Sequence, residues 1–477
     1  MTTTDVFINN EWLPGGNGEF NVVDPATAEP IRSVSDGDAG DATAAVDAAA
    51  AALVAWRKTA PRQRGEILRK TFELMIRDKD DLGALIAAEN GKSLTDAIGE
   101  VTYSAEFFRW FSEEAVRMGG DYGTAPAGGT RTLVTHHPVG VAALVTPWNF
   151  PAAMAARKIA PALAAGCTVV LKPASETPLT AFAIAKLMVE AGVPAGVVNI
   201  VPSTSAGTIV GTWMEDPRVR KISFTGSTGI GQVLLKQAAE RVVNASMELG
   251  GNAPFVVTDD ADIDAAVEGA MIAKFRGGGQ ACTAANRLYV HADVAEEFTA
   301  KLGAKVEALT VGPADEGFDI GPMINAKAVD GIQALLDGAI AAGARIAHQA
   351  TAPDSKGFYF APMVLADVPA DAEIVHEEIF GPIAPIVTWT TDEEVIALAN
   401  DTEMGLAAYV YAGELQRGIR LCESIEAGMV GLNRGLVSDP AAPFGGMKQS
   451  GIGREGARIG MEEFQETQYL SIAWPED

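Results

Sequence analysis

Cys282 stands in the segment KFRGGGQACTAANR, where three glycines precede it and let the backbone approach a bound molecule closely. A thiol so placed can attack a carbonyl carbon. Taken alone, a single cysteine is more often a core thiol, because free Cys is among the most buried residue types, and Cys167 and Cys422 are read that way. Glu248 ends the small, apolar run NASME ahead of Gly250 and Gly251, which turns a carboxylate toward a cleft. Partly desolvated there, it has a raised pKa and can take a proton from water, although most strand-end carboxylates are simply solvated. Asn149 lies in TPWNFP (146–151), a rigid turn after an apolar strand. Its amide either caps its own turn or aims an N–H at an oxyanion.

Two further stretches have the chemistry of a nucleotide site. SFTGSTGIGQ (223–232) reads as a strand, a Gly-containing turn and a helix start, the arrangement that seats a phosphate on helix N-terminal amides. Its glycines are spaced G-x-x-G-x-G, whereas the dinucleotide fingerprint is G-x-G-x-x-G. LKPASETP (171–178) places Lys172 and Ser175 just beyond another apolar strand, where ligands of doubly wound sheets bind.

These residues need elements to hold them. From 41 to 118 the apolar spacing is helical, with Pro61 opening an amphipathic stretch through Leu68, Phe72, Met75 and Leu85. Residues 131–137 alternate as an exposed strand does. The runs VAALVT (141–146), CTVVLK (167–172), VVNIV (197–201), VRKISFTG (219–226) and PFVVT (254–258) then alternate with helical stretches near 152–165, 178–191, 206–214 and 228–240. That repetition predicts a parallel doubly wound sheet. Strands at 287–291, 384–389, 408–412 and 429–433, with helices around 294–308, 329–343 and 414–425, predict a second α/β domain. The period-2 strand at 466–474 is expected to pair outside that domain.

Composition narrows the partners. Among 477 residues, 62 Asp and Glu against 36 Lys and Arg give a formal net charge of −26, which repels nucleic acid and anionic lipid heads. An anionic ligand therefore needs arginines fixed locally in a pocket. Five histidines form no i, i+4 pair and three cysteines no ligand spacing, so no metal site is expected. The first residues, MTTTDVFINNEWLPGG, lack a basic and an apolar targeting region, and no apolar run reaches membrane-spanning length. With three scattered cysteines this predicts a reducing cytoplasm.

Together the stretches TPWNFP, LKPAS, FTGS, MELGG, GQAC, EEIFGP (377–382) and PFGGMKQSGIGRE (443–455) resemble the aldehyde dehydrogenase family in order and spacing, from near residue 5 to the C-terminus. WNFPAAMAARKIAPALAAGCTVVLKPAS, KFRGGGQ and GLVS resemble its succinate-semialdehyde dehydrogenase branch. The resemblance implies an α/β fold of three parts. They are an atypical Rossmann cofactor domain (1–118 and 140–248), an α/β catalytic domain (249–433), and a β oligomerisation arm with the C-terminal segment (119–139 and 434–477). It also implies a homodimer or homotetramer in which the final strand completes a neighbouring subunit's sheet.

Carried over residue by residue, the resemblance makes Cys282 the nucleophile, Glu248 the general base and Asn149 the oxyanion donor. Trp148, Lys172, Ser175, Gly226, Ser227, Leu249, Glu378 and Phe380 match cofactor contacts. Arg157, Arg276 and Ser438 match residues that hold a distal carboxylate. The implied reaction is NAD(P)-dependent oxidation of succinate semialdehyde through a cysteine thioester, with NADP preferred because Ser175 stands where NAD-restricted relatives often carry Glu. A glutarate-semialdehyde or other aliphatic aldehyde dehydrogenase is the alternative within the class, and a thiol esterase or hydrolase the alternative outside it. Two departures stand out. Gly277 and Gly278 follow Arg276 where the branch commonly has Asn, which predicts a freer catalytic loop, and Ala284 stands where many relatives have a second cysteine.

Overall fold

Four of the five apolar runs pair as their alternation predicts; PFVVT does not, because Ala253–Val257 lies in the second sheet and Asn244–Glu248 takes the place beside Val219–Thr225. In the computed structural model, which describes residues 5–474, Asn244–Glu248, Val219–Thr225, Val141–Val145, Thr168–Lys172 and Val198–Ile200 lie side by side in that order, all parallel. From Val141–Val145 the chain builds outward on one side, then crosses over and builds on the other. The reversal point of such a sheet opens a crevice at the strands' C-terminal ends. The turns carrying Trp148 and Asn149, and Gly226 and Ser227, leave the two strands that flank it. Short antiparallel strands close both edges, Gly451–Ile452 beside Asn244–Glu248 on one and, on the other, Val6–Ile8 beside Val198–Ile200 with Glu11–Leu13 outermost.

A second sheet runs Arg345–Gln349, Met363–Ala366, Ile383–Trp389, Ala285–His291, Ala253–Val257, Ala407–Tyr411, Met429–Leu432, parallel except at its first pair. The sequence pattern did not reveal its first two strands: RIAHQ presents no buried residue, and MVLA is only four residues long. The final strand, Gln465–Ala473, joins neither large sheet. It pairs antiparallel with Thr130–Pro138 over its whole length, and Tyr122–Thr124 completes this small sheet.

The helical layer consists of Ala39–Trp56, Pro61–Arg77, Lys79–Asn90 and Leu94–Glu114. Asp38 and Asp41 form a capping box at the first, and Pro61 opens the second at the position where its missing N–H costs nothing. Two buried carboxylates reach from this layer to helices on the first sheet. Glu100 accepts hydrogen bonds from the backbone N–H of Ala152 (2.8 Å) and Ala153 (3.2 Å), and Glu89 from those of Leu179 (2.8 Å) and Thr180 (2.9 Å). Each satisfies orphan donors and the positive end of a helix dipole. Burial nonetheless pushes Glu89 up to about 8.

The helix capped by Glu100, Pro151–Ala165, is buried at every residue and ends at left-handed Gly166 (φ 96°). An arginine and a lysine on it must therefore find partners inside the protein. No helix among the described residues is long and apolar enough to cross a membrane.

Candidate active site

Cys282 sits between two cavities. One, of about 240 Å³, is walled by Lys92, Asp96, Phe150, Met154, Arg157, Arg276, Ser438 and Phe444 among others. The second, of about 250 Å³, is walled by Trp148, Asn149, Thr225, Gly226, Ser227, Leu249, Glu378 and Phe380, and Cys282 lines both. The structure thus brings the expected carboxylate-binding residues to one side of the sulfur and most expected cofactor contacts to the other. Lys172 and Ser175 line neither cavity: Lys172 ends its strand with a buried side chain, and the Ser175 hydroxyl donates to Glu176 Oε2 at 3.2 Å.

The loop bearing Cys282 is held at several points. Asn149 Nδ2 donates to the Gln280 carbonyl at 3.0 Å, which commits one amide hydrogen and leaves the other free. Tyr409 donates its hydroxyl to the Thr283 carbonyl (2.7 Å), and Gln280 Oε1 accepts from the backbone N–H of Ile324 (3.0 Å). Gly277 N–H donates to Asp96 Oδ2 at 2.7 Å, so the glycine pair expected to loosen this loop is itself tied. MELGG and GQAC meet here: a Cβ on Gly251 would lie 2.3 Å from the Cys282 carbonyl oxygen, so only glycine fits. Burial, reinforced by the charges of Glu378 and Glu248 and opposed by Arg157, pushes the Cys282 thiol up to about 12.

Glu248 is buried, and its Oε2 has no hydrogen-bond partner among the described residues. Burial first, and then the neighbouring Glu455, hold its carboxyl well above the ordinary range, against the pull of Lys158, Arg157 and Arg454. Glu455 accepts from Lys158 Nζ at 2.5 Å and lies 3.2 Å from Arg157 Nε, while Lys158 also donates to Ser223 Oγ at 2.9 Å. The sequence reading missed Glu455 and Lys158. Both lie inside quoted motifs, Lys158 directly after Arg157 and Glu455 at the end of SGIGRE, but nothing local says that 297 positions of chain separate two partners.

Lys92 and Glu100 were missed as well. Lys92 Nζ donates to Glu100 Oε2 (2.5 Å) and to the Asn149 carbonyl (2.6 Å), and stands 3.9 Å above the Phe150 ring. Asn90 Nδ2 donates to the Trp148 carbonyl at 3.0 Å. The turn between two helices of the outer layer therefore grips the peptide that carries Asn149. A Lys and an Asn flanking Gly91 at a helix break were the available signal.

The two pocket arginines differ. Arg157 is buried, paired with Glu455, bonded to Tyr103 (3.0 Å) and stacked 3.9 Å from the Phe444 ring. Arg276 is half-buried, lies 5.4 Å from the Phe150 ring, and makes no side-chain hydrogen bond or ion pair among the described residues.

The cleft beyond Cys282 fits a nicotinamide dinucleotide. Ser227 precedes the helix Thr228–Arg241 without a side-chain capping bond, so the first-turn N–H groups stay available. Thr225 Oγ1 is buried without a partner, and the cavity continues past Ser227, Gly250 and Glu378 into a further space of about 660 Å³. Phe380 holds a left-handed backbone (φ 50°) with its ring edge-on to Trp148 at 5.5 Å. Such conformations persist where surrounding contacts enforce them. Asn286 does so here: its Oδ1 accepts from Ile379 N–H (3.1 Å) and its Nδ2 donates to the Glu377 carbonyl (2.6 Å). Glu378 stands exposed in this cleft, accepting from Gly251 N–H at 3.2 Å.

Comparison with known proteins agrees with this geometry. The aldehyde dehydrogenase family model matches residues 12–470. A succinate-semialdehyde dehydrogenase of Paenarthrobacter nicotinovorans is 53% identical over 93% of this chain and 99% of its own length. A glutarate-semialdehyde dehydrogenase of Pseudomonas putida is 47% identical over 98% and 97%. The crystal structure of an NADP-dependent enzyme of E. coli superposes with a TM-score of 0.97 at 48% identity, covering 99% of this chain and 98% of that one. The chain belongs to the aldehyde dehydrogenase family.

Proposed function

We propose that this enzyme oxidises succinate semialdehyde to succinate, with NADP as the preferred oxidant and NAD as a second. The observation that carries the reading is Arg276, a half-buried guanidinium without a carboxylate partner, in the same cavity wall as Cys282. A protein of net charge −26 keeps such a cation unpaired where an anion is to bind. Ser438 and Arg157 complete the carboxylate pocket. Trp148, Gly226, Ser227, Leu249, Glu378 and Phe380 would hold the nicotinamide and its ribose and phosphates, with Lys172 and Ser175 at the adenosine end.

The Cys282 thiol gives its proton to the neighbouring base Glu248, and the thiolate attacks the aldehyde carbon. The free hydrogen of the Asn149 amide and the Cys282 backbone N–H stabilise the alkoxide that forms, a contribution of about 3 kcal/mol per donor. The nicotinamide, when bound, supplies the acceptor for the electron pair and hydrogen leaving that carbon. Cys282 is left as a thioester. With its first proton passed to solvent, Glu248 takes a proton from the water that attacks the thioester. The carbon–sulfur bond breaks to free the acid and the Cys282 thiolate, and the neighbouring Glu455, held by Lys158, would relay the proton.

Residues 1–118 and 140–248 would form the cofactor domain, 249–433 the catalytic domain, and 119–139 with 434–477 the arm and C-terminal segment. Gln465–Ala473 is an edge strand exposed at seven of nine residues, which supports its addition to the sheet of a second copy in a homodimer or homotetramer. Three free cysteines suit a reducing cytoplasm. The test is initial rates with succinate semialdehyde, glutarate semialdehyde and butanal against NADP and NAD. The reading expects the highest kcat/KM with succinate semialdehyde and NADP; equal values for butanal would overturn the carboxylate pocket.

A further inference from the structure

Beyond the substrate cavity lies a second space that the reaction does not use. It measures about 370 Å³ and is lined by Glu268, Ile272, Phe275, Leu309, Phe318 and Ile320 among others. Thr95, Asp96 and Arg276 line this outer space and the substrate cavity alike, so those residues are the partition between the two.

The partition is closed by one bond. Asp96 lies in the first turn of the helix Leu94–Glu114, whose cap is Ser93, and its Oδ2 accepts the Gly277 N–H at 2.7 Å. Gly277 and Gly278 both hold left-handed backbones (φ 60° and 66°), and a Cβ on Gly277 would meet nothing within 4 Å. A carboxylate thus folds the loop back toward the helix; Gly277 faces the substrate cavity alone, while Phe275 and Arg276 just before it line the outer space behind the loop. Arg276, next to the tied amide, faces both spaces.

We propose that the Asp96–Gly277 bond is a latch that sets the depth of the substrate cavity and so limits the length of the ω-carboxylated aldehyde the enzyme accepts. Asp96 is a specificity-determining residue that does not touch the reacting atoms. Releasing it lets the loop move into the space behind, and Arg276 can then meet a carboxylate one or two methylenes farther from Cys282. The inference rests on the carboxylate-pocket reading above.

The experiment measures kcat/KM for succinate, glutarate and adipate semialdehydes in the wild type and in Asp96→Ala, Asp96→Asn and Asp96→Ala/Ile272→Trp, with thermal unfolding as the control for folding and butanal turnover measured in the wild type. The glutarate-to-succinate ratio should rise about tenfold or more in Asp96→Ala, the discrimination one methylene commonly carries in a fitted pocket. Asp96→Asn keeps an acceptor oxygen and should stay within about threefold of the wild-type ratio. Ile272 is 48% exposed on the wall of the outer space, and tryptophan there should fill it and cancel the gain. An unchanged ratio in a folded Asp96→Ala enzyme would overturn the latch. So would an Asn variant shifted as far as the Ala variant, which would assign the effect to charge. Failure of the underlying reading shows separately, in a wild type that prefers neither dicarboxylic semialdehyde over butanal.

Discussion

The two cavities that meet at Cys282 are built in opposite ways. On the substrate side, most charges are buried and matched before any ligand arrives: Lys92 with Glu100, Arg157 with Glu455, Asp96 with a backbone amide, while Arg276 makes no hydrogen bond or ion pair among the described residues. On the cofactor side the walls are glycines, helix-start amides and an exposed Glu378 in an open cleft. On the proposed reading the first is a preorganised socket for one small anion, in which any loss leaves a buried charge stranded. The second is a surface of many weak contacts that must admit and release a large dinucleotide each turnover.

The largest test acts where the two sides join. Cys282→Ala should abolish aldehyde oxidation. Glu248→Gln should reduce cofactor in one burst per active site and then accumulate acyl-enzyme, seen by stopped-flow absorbance and intact mass. Since burial holds Glu248 protonated beyond the usual carboxylate range, its base form grows as pH rises, and deacylation should accelerate through neutral into alkaline pH. Steady turnover by the Gln variant would remove Glu248 from the mechanism.

Lys92 tests whether the substrate side is a single preorganised unit. Lys92→Met frees the Asn149 carbonyl and strands Glu100, so kcat should fall about 10²-fold, the scale of a small misplacement of a catalytic group. KM for butanal should move far less, and Lys92→Arg should restore part of kcat. A loss confined to thermal stability, with kcat intact, would show that the grip is structural only.

How much of this could be read in the sequence follows the same division. The cofactor side is made of local motifs, a strand followed by a few residues, so TPWNF, FTGS and LGG pointed to it directly; of the expected contacts only Lys172 and Ser175 fall outside its cavity. Four of the five parallel strands were likewise legible from their apolar runs; Asn244–Glu248 has too few large apolar residues to stand out, and the run at 254–258 belongs to the second sheet. The substrate side is assembled from segments hundreds of residues apart. Lys92, Asp96 and Glu100 sit in a helical layer whose periodicity explains them as ordinary surface or turn residues, and only the tertiary structure shows Lys92 on Asn149, Glu100 on Lys92 and Asp96 on Gly277. Strands 345–349 and 363–366 were missed for a plainer reason, the lack of any alternation to find.

The two arginines sharpen the comparison within the socket. Arg276 is uncommitted and Arg157 already shares its charge with Glu455, so Arg276→Leu should raise KM for succinate semialdehyde more than Arg157→Leu does, by about 10- to 100-fold for a charge-assisted hydrogen bond. KM for butanal should stay nearly constant in Arg276→Leu. Arg157→Leu should disturb both substrates, because it also removes one of the two cations on Glu455, whose charge acts on Glu248. Equal effects of the two variants on both aldehydes would erase the distinction.

The sulfur itself reports the environment of the junction. With the thiol pushed up to about 12, alkylation of the ligand-free enzyme by iodoacetamide should keep rising, about tenfold per pH unit, through pH 10, because only the thiolate reacts. A plateau below pH 9 would mean that a positive charge near Cys282 outweighs burial there.

The smallest effect belongs to the open side, at Ser175. Its hydroxyl, bonded to Glu176, can turn to donate to a 2′-phosphate, and Lys172 nearby adds positive charge, although Glu176 itself opposes the phosphate. Placing a second carboxylate here by Ser175→Glu repels that phosphate and offers an acceptor to the ribose hydroxyls of NAD. In a partly solvated site the repulsion is worth about 1–2 kcal/mol, so the NADP-to-NAD ratio of kcat/KM should fall about 5- to 30-fold. Glu176→Gln should move the ratio the other way by a smaller factor. Both shifts should appear in cofactor dissociation constants measured by tryptophan quenching, with the rate of thioester formation at saturating cofactor unchanged. A wild type that binds NAD tightly and NADP not at all would assign the local field to Glu176 in place of Ser175 and Lys172, and would make this open side as selective as the socket opposite.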